Sequence, residues 1–172
     1  MLTEAQEKWI NHLSDTDFVS VIPHDPTCEE KFLCVEKQIQ NILGIGQRVL
    51  HRGASALGIS GQDEIDIYVP IVPSRFDETT NIIAKLFGAP RSHYPLERAR
   101  FVTNIGGKHI DVFVINEEGD GWKESEKFYH LLMSQPDILS RYRNLKESLS
   151  GKSTREYYRS KTEFINELLR YN

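Results

Sequence analysis

The segment of residues 64–69 (EIDIYV) places the strongest restriction on how this chain folds. Side chains alternate between the two faces of a β-strand, so its three aliphatic residues form one apolar face. On the opposite face, Glu64 and Asp66 stand about 7 Å apart, from the rise of a strand. Two neighbouring carboxylates repel each other and are costly to desolvate. The pattern therefore predicts a half-buried strand whose acids face basic side chains or cations.

The composition of the chain favours one globular domain. Its 172 residues, with 39% hydrophobic and 27% charged residues, are sufficient for a hydrophobic core. A net charge of −4 disfavours sequence-independent nucleic-acid binding, although a local basic groove stays open. Without a membrane-length apolar run or a secretion leader in the sequence, we expect no membrane association and a cytoplasmic location. Cys28 and Cys34 lack the spacing of a metal-binding pair, which predicts two free thiols.

Capping residues and apolar periodicity predict three helices in the first half of the chain. They are expected to begin at three pairs of capping residues: Thr3 with Gln6, Thr27 with Glu30, and Ser74 with Asp77. Gly44 and Gly46 end the second helix, and a short strand over residues 47–51 follows. Pro70 and Pro73 are expected to end the acidic strand.

Two further strands are predicted at about 98–105 and 108–115, around the hairpin turn Gly106-Gly107. The second of these strands has aliphatic residues on one face and Asp111 on the other, with His109 beside it. Asp111 is thus a third acid on an apolar strand. His109 is either a neighbour of a metal site or an ordinary surface histidine.

From about residue 119 onward, the apolar pattern is helical, with a break at Pro136 and a turn at Gly151. This change in pattern predicts an α/β core over about residues 18–118 and a C-terminal helical annex over residues 119–172. At this length, we predict a single domain over residues 1–172.

The acids Glu64, Asp66 and Asp111 converge if their two strands are neighbours in one sheet. Mg²⁺ (or Mn²⁺) prefers oxygen ligands from carboxylates and substrate phosphates, and pairs of such ions serve phosphoryl transfer. Two ligands at i and i+2 on one strand and one ligand on the next strand suit such a site. The alternative is ion pairing with Arg98 or Arg100 of a neighbouring strand.

The turn that precedes the acidic strand suits a phosphate group. Small residues such as Gly53 and Ser55 let the backbone approach an anion, and the helix that follows directs N–H groups toward it. Arg52 and His51 would add positive charge at the same place.

Ser55, His51 and Asp66 can be drawn as a Ser-His-Asp triad, but nothing in their spacing supports one. One other grouping stays open. Four residues of the C-terminal helices would line a nucleotide pocket or pack the helices together: Tyr142, Lys146, Tyr158 and Lys161.

The order of these motifs resembles that of the nucleotidyltransferase superfamily, which includes DNA polymerase β. It has a Gly–small–Ser turn, an acid–apolar–acid strand and a later acid on another strand. Within the superfamily, the chain most resembles the GrpB family, over roughly residues 19–170. The matching segments are residues 21–26 (VIPHDP), residues 51–57 (HRGASAL), and the helical segments 128–136 and 142–165.

The resemblance implies an α+β fold with a nucleotidyltransferase-like mixed, mostly antiparallel sheet flanked by helices, and a C-terminal helical annex. It implies transfer of a nucleoside monophosphate from a nucleoside triphosphate by a two-metal mechanism, with Glu64, Asp66 and Asp111 as catalytic ligands of Mg²⁺ (or Mn²⁺). The implied nucleotide-binding residues are His51, Arg52, Gly53, Ser55 and Lys161. The acceptor (small molecule, RNA or protein), the preferred base and the oligomeric state are left open.

Two departures from the GrpB pattern favour a second interpretation. Ala54 stands where the family has Ser, and a family Lys between the turn and the strand is replaced by the segment Gln62-Asp63. The alternative is a catalytically degraded module on the same fold that binds nucleotide or protein. A further difference does not favour this interpretation: Glu64 stands where the family usually has an apolar residue, so its role is implied by the wider superfamily pattern alone.

Overall fold

The computed structural model describes residues 1–171, which form seven α-helices and five β-strands. The helices are α1 (Glu4–Asn11), α2 (Cys28–Leu43), α3 (Gly53–Ala56), α4 (Phe76–Phe87), α5 (Asp120–Ser134), α6 (Pro136–Ser148) and α7 (Thr154–Tyr171). The strands are β1 (Leu50–Arg52), β2 (Glu64–Ile71), β3 (Ser92–Tyr94), β4 (Arg98–Ile105) and β5 (Lys108–Asn116), and a 3-10 helix (Pro73–Arg75) precedes α4.

The chain divides into two compact units. The sheet unit comprises His24–Gly58 and Asp63–Lys123, and the helical unit comprises Met1–Pro23, Ile59–Gln62 and the chain from Glu124 onward. The sequence patterns did not indicate that the N-terminal segment groups with the C-terminal helices. The single domain over residues 1–172 stays a prediction.

The sheet has the strand order β1-β2-β5-β4-β3. Only the β2–β5 pair is parallel among these five strands, and the other three pairs are antiparallel. This confirms the predicted mixed, mostly antiparallel sheet and the hairpin of β4 and β5. The short strand β3 was not predicted, because three residues do not show a periodic pattern.

One face of the sheet carries the hydrophobic core. Helices α2 and α4 pack on it, and each fully buried aliphatic side chain there contributes about 1.5–3 kcal/mol. The core residues from the helices are Phe32, Val35, Ile39, Phe76 and Ile83, and those from the strands include Ile65, Ile67, Val69, Ile110, Val112 and Val114. On the opposite face, Trp122 of α5 lies beside Tyr68, with ring centroids 6.2 Å apart. Helices therefore flank the sheet, as expected.

The sequence predicted that Pro70 ends the acidic strand, and this prediction is wrong. Pro70 lies inside β2, opposite Ile115 of β5. Proline is tolerated here because β1 pairs only with residues 66–68, so no ladder partner loses an N–H at Pro70. Its carbonyl oxygen instead accepts a hydrogen bond from Nε2 of Gln47 at 3.3 Å.

Thr27 precedes α2 but does not cap it with its side chain. Its hydroxyl and its backbone N–H both donate to Oδ1 of Asp25, at 2.7 and 2.9 Å. The carboxylate of Asp25 therefore competes successfully with the helix terminus for the Thr27 hydroxyl, and the predicted cap with Glu30 is wrong.

The amino group of Lys108 ties two loops to the start of β5. Nζ lies 2.9 Å from Oδ2 of Asp25 and also contacts the carboxylate of Asp63, while the Lys108 side chain is only 8% exposed. Burial lowers the pKa of Lys108, but its hydrogen bonds to Asp63 and Asp25 outweigh burial, so the pKa lies above its usual value. The hydrogen bond from Lys108 is the main cause that holds the pKa of Asp25 well below its usual range.

The helical unit contains the predicted capping box, in which Thr3 and Gln6 exchange hydrogen bonds at the start of α1. Glu7 of α1 accepts two hydrogen bonds from the guanidinium of Arg159 of α7, both at 2.9 Å. A small core of this unit comprises Val19, Leu149 and Tyr157.

The two cysteines are free, Cys28 buried and Cys34 exposed, as predicted. No helix within residues 1–171 combines the length and the apolar character that crossing a membrane requires.

Candidate functional site

The parallel pairing of β2 with β5 brings the three predicted acids to one face of the sheet. Asp66 lies directly opposite Asp111, and Glu64 lies opposite His109. Because paired strands are about 4.8 Å apart, these four side chains share one small patch. We call it the acidic patch: Glu64, Asp66, His109 and Asp111. It lies on the face opposite the apolar residues of the core.

Three members of the acidic patch could share one cation. Glu64, His109 and Asp111 each offer a ligand atom, and these atoms lie within 4.8 Å of one another. His109 is also hydrogen-bonded to Asp111, with Nε2 3.1 Å from Oδ1. Two carboxylates and an imidazole form a donor set that suits a divalent cation. His109 therefore belongs to the candidate site, and Asp66 is not part of this group within the described chain.

Arg100 of β4 already neutralises one of these ligands. Its Nε and Nη2 donate to Oδ1 and Oδ2 of Asp111 at 2.9 and 3.0 Å. The Asp111 side chain is 7% exposed, so its carboxylate lies largely out of water, whereas the Arg100 side chain is 34% exposed. The two parallel hydrogen bonds form a fork-shaped pair. The donor set thus fits a cation in part, since a metal at Asp111 shares the carboxylate with Arg100 or displaces it. This is the ion pair that the sequence left open.

Asp66 faces the small-residue turn. Gly53 begins α3 with a φ of +72°, and a Cβ at this position would overlap Oδ2 of Asp66. Glycine is therefore required twice, by its left-handed backbone and by the close approach of the carboxylate. The structure brings together the turn and one of the predicted acids.

The variant Gly53→Ala is expected to lose about 3 kcal/mol of unfolding free energy, because backbone strain and the overlap with Asp66 add together. Urea unfolding followed by circular dichroism measures this loss. Gly58→Ala is the matched control, since Gly58 has a φ of +66° and nothing within 4 Å of its Cβ position. It should lose only about 1–2 kcal/mol. Equal losses in the two variants would show that Asp66 does not approach Gly53 closely.

His51 lies on the core side of β1 and makes three side-chain contacts. Nδ1 is 3.0 Å from Oε2 of Glu29, Nε2 is 3.0 Å from Oγ of Ser55, and the ring stacks on Phe32. The His51 side chain is 9% exposed, and burial is the main cause that lowers its pKa, against the opposing effect of Glu29. Both ring nitrogens are thus occupied by protein groups, and a phosphate contact of His51 stays a prediction.

Glu29, and not Asp66, is the acid that contacts His51. No sequence pattern indicates Glu29, because its contact with His51 depends on how α2 packs beside β1. Asp66 cannot take this place, because its strand side chain points to the opposite face of the sheet.

The other predicted nucleotide-binding residues occupy separate places. Arg52 lies opposite Asp66 in the β1–β2 register, and its Nη1 donates to the carbonyl oxygen of His51 at 3.0 Å. Lys161 lies in the helical unit, with Nζ 5.4 Å from the centre of the Tyr158 ring. The roles of Arg52 and Lys161 in nucleotide binding stay predictions.

Tyr142 and Lys146 of α6 are both buried. Tyr142 stacks on Phe164 at 5.7 Å and meets the edge of Phe128 at 5.3 Å. Lys146 lies 5.6 Å from the centre of the Tyr142 ring. These contacts favour helix packing over a nucleotide pocket for this pair.

Comparison with known proteins identifies a matching family and similar solved structures. The profile of the family described as "GrpB protein" matches residues 18–171 of the chain. The crystal structure of conserved protein GrpB from Enterococcus faecalis is similar, with a TM-score of 0.64 and 16% identity, over 87% of this chain and 99% of that chain. No curated protein matches the chain. At this identity, the structural likeness supports the fold alone, and the match to the family profile supports membership of the family.

Proposed function

Since the chain belongs to the GrpB family, we propose that it is a nucleotidyltransferase that moves a nucleoside monophosphate from a nucleoside triphosphate to an acceptor hydroxyl. The observation that carries the proposal is the pairing of Asp66 with Asp111 on neighbouring strands, with Glu64 two residues before Asp66 on the same face. Three acids on one sheet face, next to a glycine turn, are what phosphoryl transfer with divalent cations needs.

The acidic patch would hold Mg²⁺ (or Mn²⁺) through Glu64, Asp66 and Asp111, with His109 beside them. When bound, such ions neutralise the triphosphate and favour deprotonation of the acceptor hydroxyl. The acceptor oxygen forms a bond to the α-phosphorus, the bond from this phosphorus to the bridging oxygen breaks, and pyrophosphate leaves. The proton of the hydroxyl passes to solvent.

The backbone at Gly53 and the guanidinium of Arg52 are our candidates for contacts with the phosphates. Gly53 leaves room because it has no side chain, and Arg52 supplies positive charge from the adjacent residue. The acceptor is a small molecule, RNA or protein.

One observation favours a second function, that of a catalytically degraded binding module. The fork-shaped pair of Arg100 and Asp111 satisfies both oxygens of Asp111 without a cation. Ala54, in place of the family Ser, also removes a hydroxyl from the turn. In this function, the fold binds nucleotide or a protein partner without transfer.

The two functions are separated by a transfer assay with α-³²P-labelled nucleoside triphosphates, together with equilibrium binding with and without Mg²⁺. We expect metal-dependent binding and labelling of at least one class of acceptor, both abolished by Asp66→Asn with Asp111→Asn. The control pair Asp77→Asn with Asp120→Asn removes two exposed acids of the same unit and should leave both results unchanged. Nucleotide binding that is the same with and without Mg²⁺, with no transfer of label to any acceptor, would contradict the nucleotidyltransferase function. It would favour the binding module.

A further inference from the structure

Ser55, His51 and Glu29 form a continuous chain of hydrogen bonds. Oγ of Ser55 lies 3.0 Å from Nε2 of His51, and Nδ1 of His51 lies 3.0 Å from Oε2 of Glu29. The imidazole also stacks on Phe32, with ring centroids 4.8 Å apart and an interplanar angle of 12°. The orientation of the ring is thus held by two polar contacts at its edges and one apolar contact on its face.

The polarity of this chain of hydrogen bonds follows from Glu29. An ionised carboxylate only accepts hydrogen bonds, so the contact with Glu29 assigns the hydrogen of the neutral imidazole to Nδ1. Nε2 then carries a lone pair and accepts the hydrogen of the Ser55 hydroxyl. Because burial lowers the pKa of His51, the ring is neutral at pH 7.

A hydroxyl with this polarity is better suited to attack than to binding an anion. Its hydrogen points to His51 and is not offered to a phosphate oxygen, while its oxygen keeps lone pairs for an electrophile. Ser55 is half-buried and therefore reachable from solvent. A serine hydroxyl hydrogen-bonded to a neutral imidazole, which a carboxylate orients in turn, is the arrangement that activates serine nucleophiles.

We propose that Ser55 is a nucleophile toward phosphorus(V) electrophiles, with His51 as its general base and Glu29 as a positioning residue. Oγ forms a bond to phosphorus, and the leaving group departs with the electron pair of the bond that breaks. The hydroxyl proton moves to Nε2 of His51. The charge of Arg52, the next residue along β1, acts on His51 and would favour a phosphoryl group over a neutral ester. This role is independent of a cation at the acidic patch and goes beyond the proposed nucleotidyl transfer.

The test uses the full chain and a fluorophosphonate probe, which loses fluoride when a serine attacks its phosphorus. We expect one equivalent of label on the peptide that contains Ser55, and none there in Ser55→Ala. His51→Gln should slow labelling by about 10²-fold or more, the usual contribution of a general base. Ser60→Ala is the matched control: Ser60 is also half-buried, but its hydroxyl donates to Glu147 at 2.7 Å, so this variant should be labelled normally.

The pH dependence of labelling separates a general base from a merely structural histidine. The labelling rate should rise with pH as His51 loses its proton, at a pH below the usual histidine range. The ionisable groups that act on His51 are Glu29 of α2, His24 before that helix, and Arg52 of β1. Glu29 is exposed and raises the pKa of His51. Glu29→Gln should therefore shift the rise in labelling rate to lower pH. Absence of label on Ser55, or equal labelling rates in His51→Gln and the parent protein, would overturn the proposal.

Discussion

The variant Arg100→Met is expected to unfold about 6–12 °C below the parent protein when a chelator is present. Removal of Arg100 leaves the carboxylate of Asp111, 7% exposed, without its fork-shaped partner. Breaking a buried pair on one side costs about 3 kcal/mol or more, and each kcal/mol shifts the Tm of a chain of this size by about 2–4 °C. Differential scanning fluorimetry measures the shift.

The same variant tests whether the acidic patch accepts a cation. Without the competing guanidinium, Mn²⁺ or Mg²⁺ should raise the Tm of Arg100→Met more than that of the parent protein. A cation at about one hundred times its Kd would restore about 2.7 kcal/mol. The double variant Arg100→Met/Asp111→Asn removes both charges, so it should unfold near the parent and respond weakly to metal. A metal response that persists in this double variant would place the cation elsewhere.

Lys108→Met should lower the free energy of unfolding by about 2–3 kcal/mol at pH 7, because two charge-assisted hydrogen bonds are lost. Two carboxylates, 31% and 49% exposed, then face each other without their shared ammonium group. The methionine keeps the aliphatic stem of a side chain that is 8% exposed, so packing is largely preserved. Urea unfolding measures the loss. The control Lys123→Met removes an exposed lysine of the same unit, which lies 3.8 Å from Asp120, and should change stability by less than about 0.5 kcal/mol.

The pH dependence of the Lys108→Met variant follows from Asp25. The folded-state pKa of Asp25 lies below its unfolded value of 3.8, mainly through the hydrogen bond from Lys108. In the parent, this contribution to stability is present above pH 3.8 and is lost as the pH falls toward the folded-state pKa. In Lys108→Met, repulsion between Asp25 and Asp63 removes the contribution. The two proteins should therefore approach each other in stability as the pH falls below 3.8. A gap that stays constant down to pH 2 would contradict the ion pair.

Elements whose chemistry is local were predicted accurately from the sequence. The strands at residues 98–105 and 108–115 were placed correctly around Gly106-Gly107, since alternation and a turn that favours positive φ act over a few residues. The capping box at Thr3 was also confirmed. The faces of the two acidic strands followed from alternation alone, and the structure aligns them in one sheet.

Contacts that depend on how strands pair and helices pack could not be predicted from the sequence. Arg98 and Arg100 share one face of β4, and sequence reasoning could not choose between them as a partner for Asp111. The structure pairs Arg100 with Asp111, while the guanidinium of Arg98 lies over the Phe113 ring, 5.8 Å from its centre. Glu29 reaches His51 only because α2 packs against the sheet beside β1. The roles of the candidate site residues in catalysis stay predictions.

The pairing of Asp66 with Asp111 also has a consequence for how the chain selects its alignment. The β2–β5 ladder joins segments about forty residues apart without a hairpin to set their offset, and aliphatic ladders alone tolerate sliding. A slip of one residue would turn the acids of the displaced strand into the apolar layer beneath α2 and α4, where an unpaired carboxylate costs several kcal/mol. The charges proposed for catalysis would thus also disfavour a shifted register of β2 against β5 during folding. Neutralising them should increase misaligned or aggregated species even where the native fold gains stability.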